Sequence, residues 1–558
     1  MMNMRMINMK NQLAIKLLLV VFMSLGETKA FSHDFTVQNK DGKTIYLNWN
    51  KDHTGLEVTY KEGSLKQSYR KDYWGDIDIP KSINYYGTIY NVTSIGSEAF
   101  YKCKGLTSVS IPNSVTSINS YAFWWCEKLT NVTIPSSVVS LELSAFQDCS
   151  SLSSVTIPDN VKSIKTSAFR NCKCITSIKI PNSVTFIGEG AFAGCEKLSS
   201  ITILNNEVSI GGNAFYGTKW YDDQPDGLLY VCKVAYKYKG NMPPNTHITI
   251  KDGTNEIAGE AFQQQGNLAS ISIPNSVVKI GDNSFWNCTR LTSVDIPNSV
   301  TNIGSGAFQG CKNLNLIIVP NSVVSIGLYA FFETAWYDNQ PDGLVYAGKV
   351  AYDYKGEMSV NTHVTIKEGT IGIAERAFAG CENMNSITIP NSVTNIGPFA
   401  FSGCKNLNSI VIPNSVTSIG GVAFYFCSGL KSVIIGTGIK EIGNMAFGGP
   451  FNGSGPNELE DLYCYAMKIP EAEQDVFDYT NIDSSTLHVP AALVDAYKQT
   501  VPWNGFGRIV AISDDDPMPT GIKENLIVTK NEFYDLNGRK VTPNRNGVYI
   551  SKGKKIIK

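Results

Sequence analysis

An Ala-Phe dipeptide, once Ser-Phe, returns fourteen times along this chain, placing Phe100, Phe123, Phe146, Phe169, Phe192, Phe215, Phe262, Phe285, Phe308, Phe331, Phe378, Phe401, Phe424 and Phe447 in one register. Every step is 23 residues except two of 47, and each of those leaves room for one extra unit. A fixed period of this length marks a solenoid, because each unit is one supersecondary coil that cannot bury its apolar face until a neighbour stacks on it. The expected fold is therefore a stack of about sixteen coils at strand spacing, roughly 75 Å long, that presents an extended surface.

Aligned on the Phe, the unit reads Leu-Thr-Ser-Val-x-Ile-Pro-Asn-Ser-Val-Thr-x-Ile-Gly-x-x-Ala-Phe-x-x-Cys. Leu106, Val109 and Ile111, or Leu291, Val294 and Ile296, bracket Ser and Thr in a short run rich in branched residues, which predicts one strand per coil. The Pro that follows, as at Pro112 or Pro297, lacks an N–H, so it ends the strand and opens a turn with Asn-Ser. A second short run, such as 115–118 or 300–303, comes next. The Ala-Phe segment then closes the coil as a turn or two of helix, with Phe filling the centre.

The two long steps contain near copies, Trp220-Tyr-Asp-Asp-Gln-Pro-Asp-Gly and Trp336-Tyr-Asp-Asn-Gln-Pro-Asp-Gly, each followed by alternating apolar residues around Cys-Lys or Gly-Lys. A small hairpin that replaces or extends one coil is expected there. Asp222, Asp223 and Asp226 admit a calcium reading or a solvated turn; Asp223 becomes Asn339 in the second copy and no bidentate Glu follows, which favours the turn.

The unit Ile-Pro-x-Ser-Val-Thr-x-Ile-Gly-x-x-Ala-Phe-x-x-Cys resembles that of the BspA-like leucine-rich repeat surface proteins. So do the lead-in Gly75-Asp-Ile-Asp-Ile-Pro and the closing Thr486-Leu-His-Val-Pro. The resemblance implies a repeat solenoid, mainly β with short helical turns, wound as a right-handed leucine-rich-repeat-like coil and flanked by β-rich caps and a small C-terminal β domain. It also implies an exported surface protein that binds other proteins or cells, although a fold does not fix a function.

Basic residues and an apolar run at 17–25, ending in Thr28-Lys29-Ala30, read as a signal peptide over residues 1–30. The run is too short for a membrane helix and no later stretch qualifies, so no transmembrane segment is expected in the mature chain. Residues 31–91 are expected as an N-terminal β cap, 92–457 as the solenoid, 458–512 as a C-terminal cap with a helix over 491–500, and 513–521 as a linker. Residues 522–558 resemble a C-terminal sorting domain of the type IX secretion route, from Asp535-Leu-Asn-Gly-Arg and Gly547-Val-Tyr-Ile. Together these place the protein in the secreted fraction or on the outer surface of a Gram-negative, Bacteroidetes-like cell.

Forty-eight basic against forty-nine acidic residues give a formal net charge of −1, with no basic stripe interleaved with aromatics, which argues against nucleic acid. Ten of thirteen Cys hold one slot of the repeat, and the slot becomes Thr218, Gln265, Thr334 and Pro450 elsewhere. That pattern fits a ladder of buried thiols better than disulfides, and no Cys-x-x-Cys or His pair supports zinc. His247 and His363 occupy matching segments, which suits a structural slot. No catalytic motif appears, so neither an enzyme nor a cofactor is expected.

Outward strand positions are mostly Ser and Thr. Leu316, Ile318, Val411 and Ile434 break that rule and form the candidate binding face, since contiguous exposed apolar surface marks partner sites. Trp124, Trp125, Trp286, Tyr329 and Phe332 flank the Ala-Phe slot; they either form an aromatic patch for protein or glycan contact or pack against the next coil. Three functions remain open: an adhesin or binding module for a host or bacterial surface protein, a glycan binder, and a passive surface spacer.

Overall fold

The structure is a computed structural model that describes residues 33–50, 53–61, 72–449 and 459–517, together with the backbone of four short strands near the C-terminus. The leader expected over residues 1–30 lies outside the described residues. The chain divides into two compact units, residues 1–224 and 225–558, and the described repeats of each form a β-solenoid.

Each coil contributes two parallel ladders. In the first unit the second runs pair in register, Ile95 with Ile118, Leu141 with Ile164 and Ile187 with Ile210, as one continuous sheet. The longer first runs pair as Ser177–Ile180 on Ser200–Ile203. In the second unit the same ladders run from Glu256–Ile257 to Ser325–Ile326 and from Gly372–Ile373 to Glu471–Ala472.

The consensus residues explain the corners. After the strand, the N–H of Val184 closes a turn onto the Pro181 carbonyl at 3.2 Å, and Ser183 Oγ donates 2.7 Å to the Val161 carbonyl of the preceding coil. Gly after the second run is imposed by close approach, because a Cβ on Gly188 or Gly281 would lie 2.4 Å from backbone of the coil before.

The Ala-Phe segment is not helical, contrary to the expectation from sequence. Residues two before and two after the Phe take left-handed φ, as at Ser144 (52°) and Asp148 (58°), and a regular right-handed helix cannot pass through them. The consequence is a third ladder. Alternate N–H groups reach the next coil, Ser144 to Thr166, Phe146 to Ala168 and Asp148 to Arg170 at 2.8–3.0 Å, while those between close local turns. The rings therefore stack in parallel, 5.0 Å from Phe123 to Phe146 and 5.3 Å from Phe146 to Phe169, with planes within 4°. All fourteen Phe of the register are buried, including Phe100, Phe192, Phe308 and Phe401.

Each 47-residue step does hold an extra coil. The hairpins pair Gly227–Val231 with Val234–Lys239 and Gly343–Ala347 with Val350–Lys355. Tyr238, 23 residues after Phe215 and 24 before Phe262, donates its backbone N–H to the Ala261 carbonyl as a repeat Phe would, and Tyr354 does the same toward Ala377. A Tyr thus stands in the Phe slot of the coil without an Ala-Phe pair. Short helices, Lys219–Asp222 and Ala335–Asp338, lead into the hairpins, capped by the slot residues Thr218 and Thr334.

Both ends of the array stack on it. Leu56–Val58 pairs in parallel with the strand Thr88–Ile95, and Tyr73 packs 4.4 Å from Phe100. At the other end Phe477 stacks 5.9 Å from Phe447, and Asp461–Cys464, Thr486–Val489 and Arg508–Ala511 extend the first-run ladder. The helix expected over 491–500 is shorter: a 3-10 turn Ala491–Leu493 and an α-turn Val494–Tyr497. Near the C-terminus, strands Phe533–Tyr534, Lys540–Val541, Val548–Ser551 and Lys554–Ile557 form one antiparallel sheet.

Candidate binding surfaces

The candidate face divides once folded. Leu316 and Ile318 are 55% and 56% exposed on the strand Leu316–Ile318, which among the described residues pairs with Ser293–Asp295 alone and carries no strand on its other side. The 47-residue step begins just beyond, so the next coil brings a helical turn there instead of a first-run strand; Trp336 N–H caps the Leu314 carbonyl at 2.9 Å. Two large apolar side chains two residues apart consequently face outward beside small polar ones.

Val411 is 37% exposed, whereas Ile434 is 8% exposed and must be removed from the candidate face. Its neighbour in register is Tyr463, and Tyr463, Tyr465 and Ile512 pack around it. The 23-residue alignment stops at Phe447, so the cover beyond it could not be read from the repeat. The start of the stretch read as a linker is part of the cover: Tyr465 hydroxyl donates 2.9 Å to the Pro517 carbonyl, and His488 lies 2.9 Å from Asp461, 3.7 Å from Asp516 and stacked 4.2 Å over Tyr463.

The five aromatic candidates fall in both units. Trp124 and Trp125 are half-buried in the first unit and stack with planes 18° apart, with Tyr101 5.0 Å from Trp124 and 6.3 Å from Trp125. Lys102 lies over the Tyr101 and Trp125 rings, and Trp124 Nε1 donates 3.0 Å to Asp148. Tyr329 and Phe332 are exposed neighbours in the second unit, 5.1 Å apart, and Trp286 has no ring partner among the described residues.

Tyr329 and Phe332 also line a cavity of about 170 Å³ with Tyr337, Tyr352, Asp353 and Glu375, four residues that the repeat alignment did not single out. A signal was nevertheless present: superimposing the two near copies shows Lys237 where Asp353 stands and Gly259 where Glu375 stands. Asp353 accepts the Tyr337 hydroxyl, and burial raises its carboxyl above the ordinary value. Burial likewise pushes up Tyr337 and Tyr352. A larger hollow of about 720 Å³ follows the second-run ladder, where Asn395, Ser418, Glu441 and Glu471 lie side by side.

Eight slot cysteines donate to a carbonyl of the coil before, for example Cys195 Sγ to Phe169 O at 3.1 Å and Cys427 to Phe401 O at 3.1 Å. The eight thiols are reduced; Cys232, in a hairpin turn, is exposed. His247 and His363 sit alike, bonded through Nδ1 to Ser270 and Ser386 of the next coil at 2.6 and 2.7 Å. Among the described residues no three His, Cys, Asp or Glu side chains converge as metal ligands would, and no helix is long and apolar enough to cross a membrane.

A family model described as a BspA type leucine rich repeat region matches in six copies, over residues 92–221, 235–338 and 351–452. Among solved structures, the chain is similar to a leucine-rich repeat protein from Bacteroides ovatus, with 25% identity, 79% of this chain and 99% of that one covered, and a TM-score of 0.32. It is also similar to a leucine rich cell surface protein from Faecalibacterium prausnitzii, with 21% identity, 79% and 95% covered, and a TM-score of 0.27. A leucine-rich repeat protein from Eubacterium ventriosum matches with 20% identity, 70% and 95% covered, and a TM-score of 0.28. Superpositions this loose carry no argument about what the chain binds. A search of curated proteins returns no match.

Proposed function

Because the chain belongs to the BspA-type leucine-rich repeat family, we propose that it is an exported surface binding module, an adhesin for a protein on a host or bacterial cell. The observation that carries this reading is the exposed pair Leu316 and Ile318 at the open side of a first-run ladder, an apolar spot beside the polar Ser293 and Asp295. Weak contacts repeated along many coils add through avidity. No catalytic role is proposed. Residues 1–30 would serve as the leader, and residues 522–558 as a sorting domain for display on a Gram-negative outer surface.

A second reading, glycan binding, is favoured by the near-parallel Tyr101, Trp124 and Trp125 rings, whose faces suit stacking on a sugar. The test is saturable binding of the full chain to immobilised matrix proteins, mucin and polysaccharides at physiological salt. A protein hit lost in a Leu316→Asp, Ile318→Asp double variant supports the adhesin. A polysaccharide hit lost in Trp124→Ala, Trp125→Ala supports the glycan reading. Silence across the panel supports the passive spacer instead.

A further inference from the structure

We propose that the cavity beside the second hairpin binds an alkylammonium group, the end of a lysine side chain on the partner protein. Its walls include four rings tilted against one another: Phe332 to Tyr337 54° at 6.2 Å, and Tyr337 to Tyr352 89° at 6.1 Å, with Tyr329 42° from Phe332. Rings so disposed enclose a small group and do not offer the flat platform a sugar needs. Ring faces are electronegative, and a cation among them is held by the ring quadrupoles. Two carboxylates add to this. Asp353 lies in the wall beside Tyr337, and Glu375 accepts from Leu328 N–H and Ser305 Oγ at 3.0 Å, both on one oxygen.

The near copy in the first hairpin points to the missing charge. There, position 237 carries the chain's own ammonium, Lys237, 3.7 Å from Glu260 with both side chains largely buried. In the second copy the charges are exchanged to Asp353 and Arg376, and Arg376 also lines the cavity, yet no ion pair forms between them: the Arg376 guanidinium lies over the Phe399 ring at 5.3 Å. Lys355 holds the carbonyls of Tyr337, Asp338 and Gln340 at 2.7–3.1 Å. Lys355 Nζ also lies 5.3 Å over the Tyr337 ring, yet neither cation forms an ion pair with Asp353, whose mostly buried carboxylate accepts the Tyr337 hydroxyl. A cation supplied from outside would complete the arrangement that Lys237 completes internally.

The inference rests on the protein-binding reading for the source of the ammonium, but its test uses small probes. The full chain is titrated with Nα-acetyl-lysine methylamide and its Nε-trimethyl form, read by saturation-transfer NMR, with the norleucine analogue as neutral control and N-acetylglucosamine as the sugar arm. Expected is saturable binding of the lysine probes only, weakened about tenfold or more by Asp353→Asn and by Phe332→Ala, and unchanged by Tyr216→Ala at the equivalent place of the first copy. Should Asp353→Asn fail to fold, Phe332→Ala, which removes an exposed ring, decides. Equal binding of the norleucine probe, binding of the sugar instead, no binding at all, or indifference to Phe332→Ala overturns the proposal. A lysine probe that binds while every immobilised protein stays silent would sink the protein source and leave the cage standing.

Discussion

The Sγ of Cys172 donates to the carbonyl oxygen of Phe146 at 3.1 Å, from one coil to the coil before it. The same oxygen accepts the backbone N–H of Cys149 at 3.3 Å. A carbonyl at the centre of the stack has no water to turn to, so both its lone pairs are met from within the protein. The slot therefore asks for a side chain that is small, apolar and a weak donor, and Cys is all three. Where the coil after the slot becomes a helical turn, Thr334 takes over, donating 2.7 Å to Phe331 O and capping Tyr337 N–H at 3.1 Å.

Thiol reagents should read this arrangement directly. In the native protein Cys232 is expected to be labelled first, followed by the half-buried Cys174 and Cys381, while the buried slot thiols react only on unfolding. Mass spectrometry of a labelling time course checks it; early modification of Cys149 or Cys172 would contradict the ladder.

Alkaline pH should destabilise the stack. Burial raises Cys126 and Cys172 well above the ordinary thiol value of 9.0 and pushes Cys195 up to about 12. The folded thiols keep their protons where unfolded ones lose them, so their stability is fully present below pH 9 and drains away between 9 and 12. Each such thiol contributes a slope of about 1.4 kcal/mol per pH unit in that window. Melting temperature is expected to hold near neutrality and to fall steeply above about pH 9, and the fall should be shallower in a Cys126→Ala, Cys172→Ala, Cys195→Ala variant.

Phe192→Ala should cost about 3–5 kcal/mol through the lost burial and the cavity between neighbouring rings. Phe192 is fully buried, 5.3 Å from Phe169 and 5.7 Å from Phe215. Urea unfolding measures it; an unchanged midpoint would mean that the rings are not the spine of the coil.

Ile434→Ala and Leu316→Ala should part company. The first removes a side chain packed under Tyr463, Tyr465 and Ile512 and is expected to cost about 2 kcal/mol or more. It should also speed proteolysis near residues 512–517. The second alters an exposed side chain and should stay within about 0.5 kcal/mol. Equal effects would contradict the separation of the two positions.

Period, strand, proline turn, buried Phe and the extra coil in each long step were legible in the sequence, because a repeat states the same packing problem many times and the residues that solve it recur. Ile434 shows where that reading ends. Its slot faces outward by register, yet Tyr463 beside it and Ile512 after it cover it, and neither obeys the 23-residue period. The Ala-Phe turns show the same limit in the backbone: small and apolar composition reads as helix, whereas the demand that alternate N–H groups reach the next coil forces left-handed φ at Ser144 and Asp148. The sequence by itself determined the coil and its stacking, since both depend on contacts repeated at a fixed spacing. Only the tertiary structure decided which outward residues stay open and which rings of Tyr329, Phe332, Tyr337 and Tyr352 meet around Asp353, since those depend on where unlike segments are brought side by side.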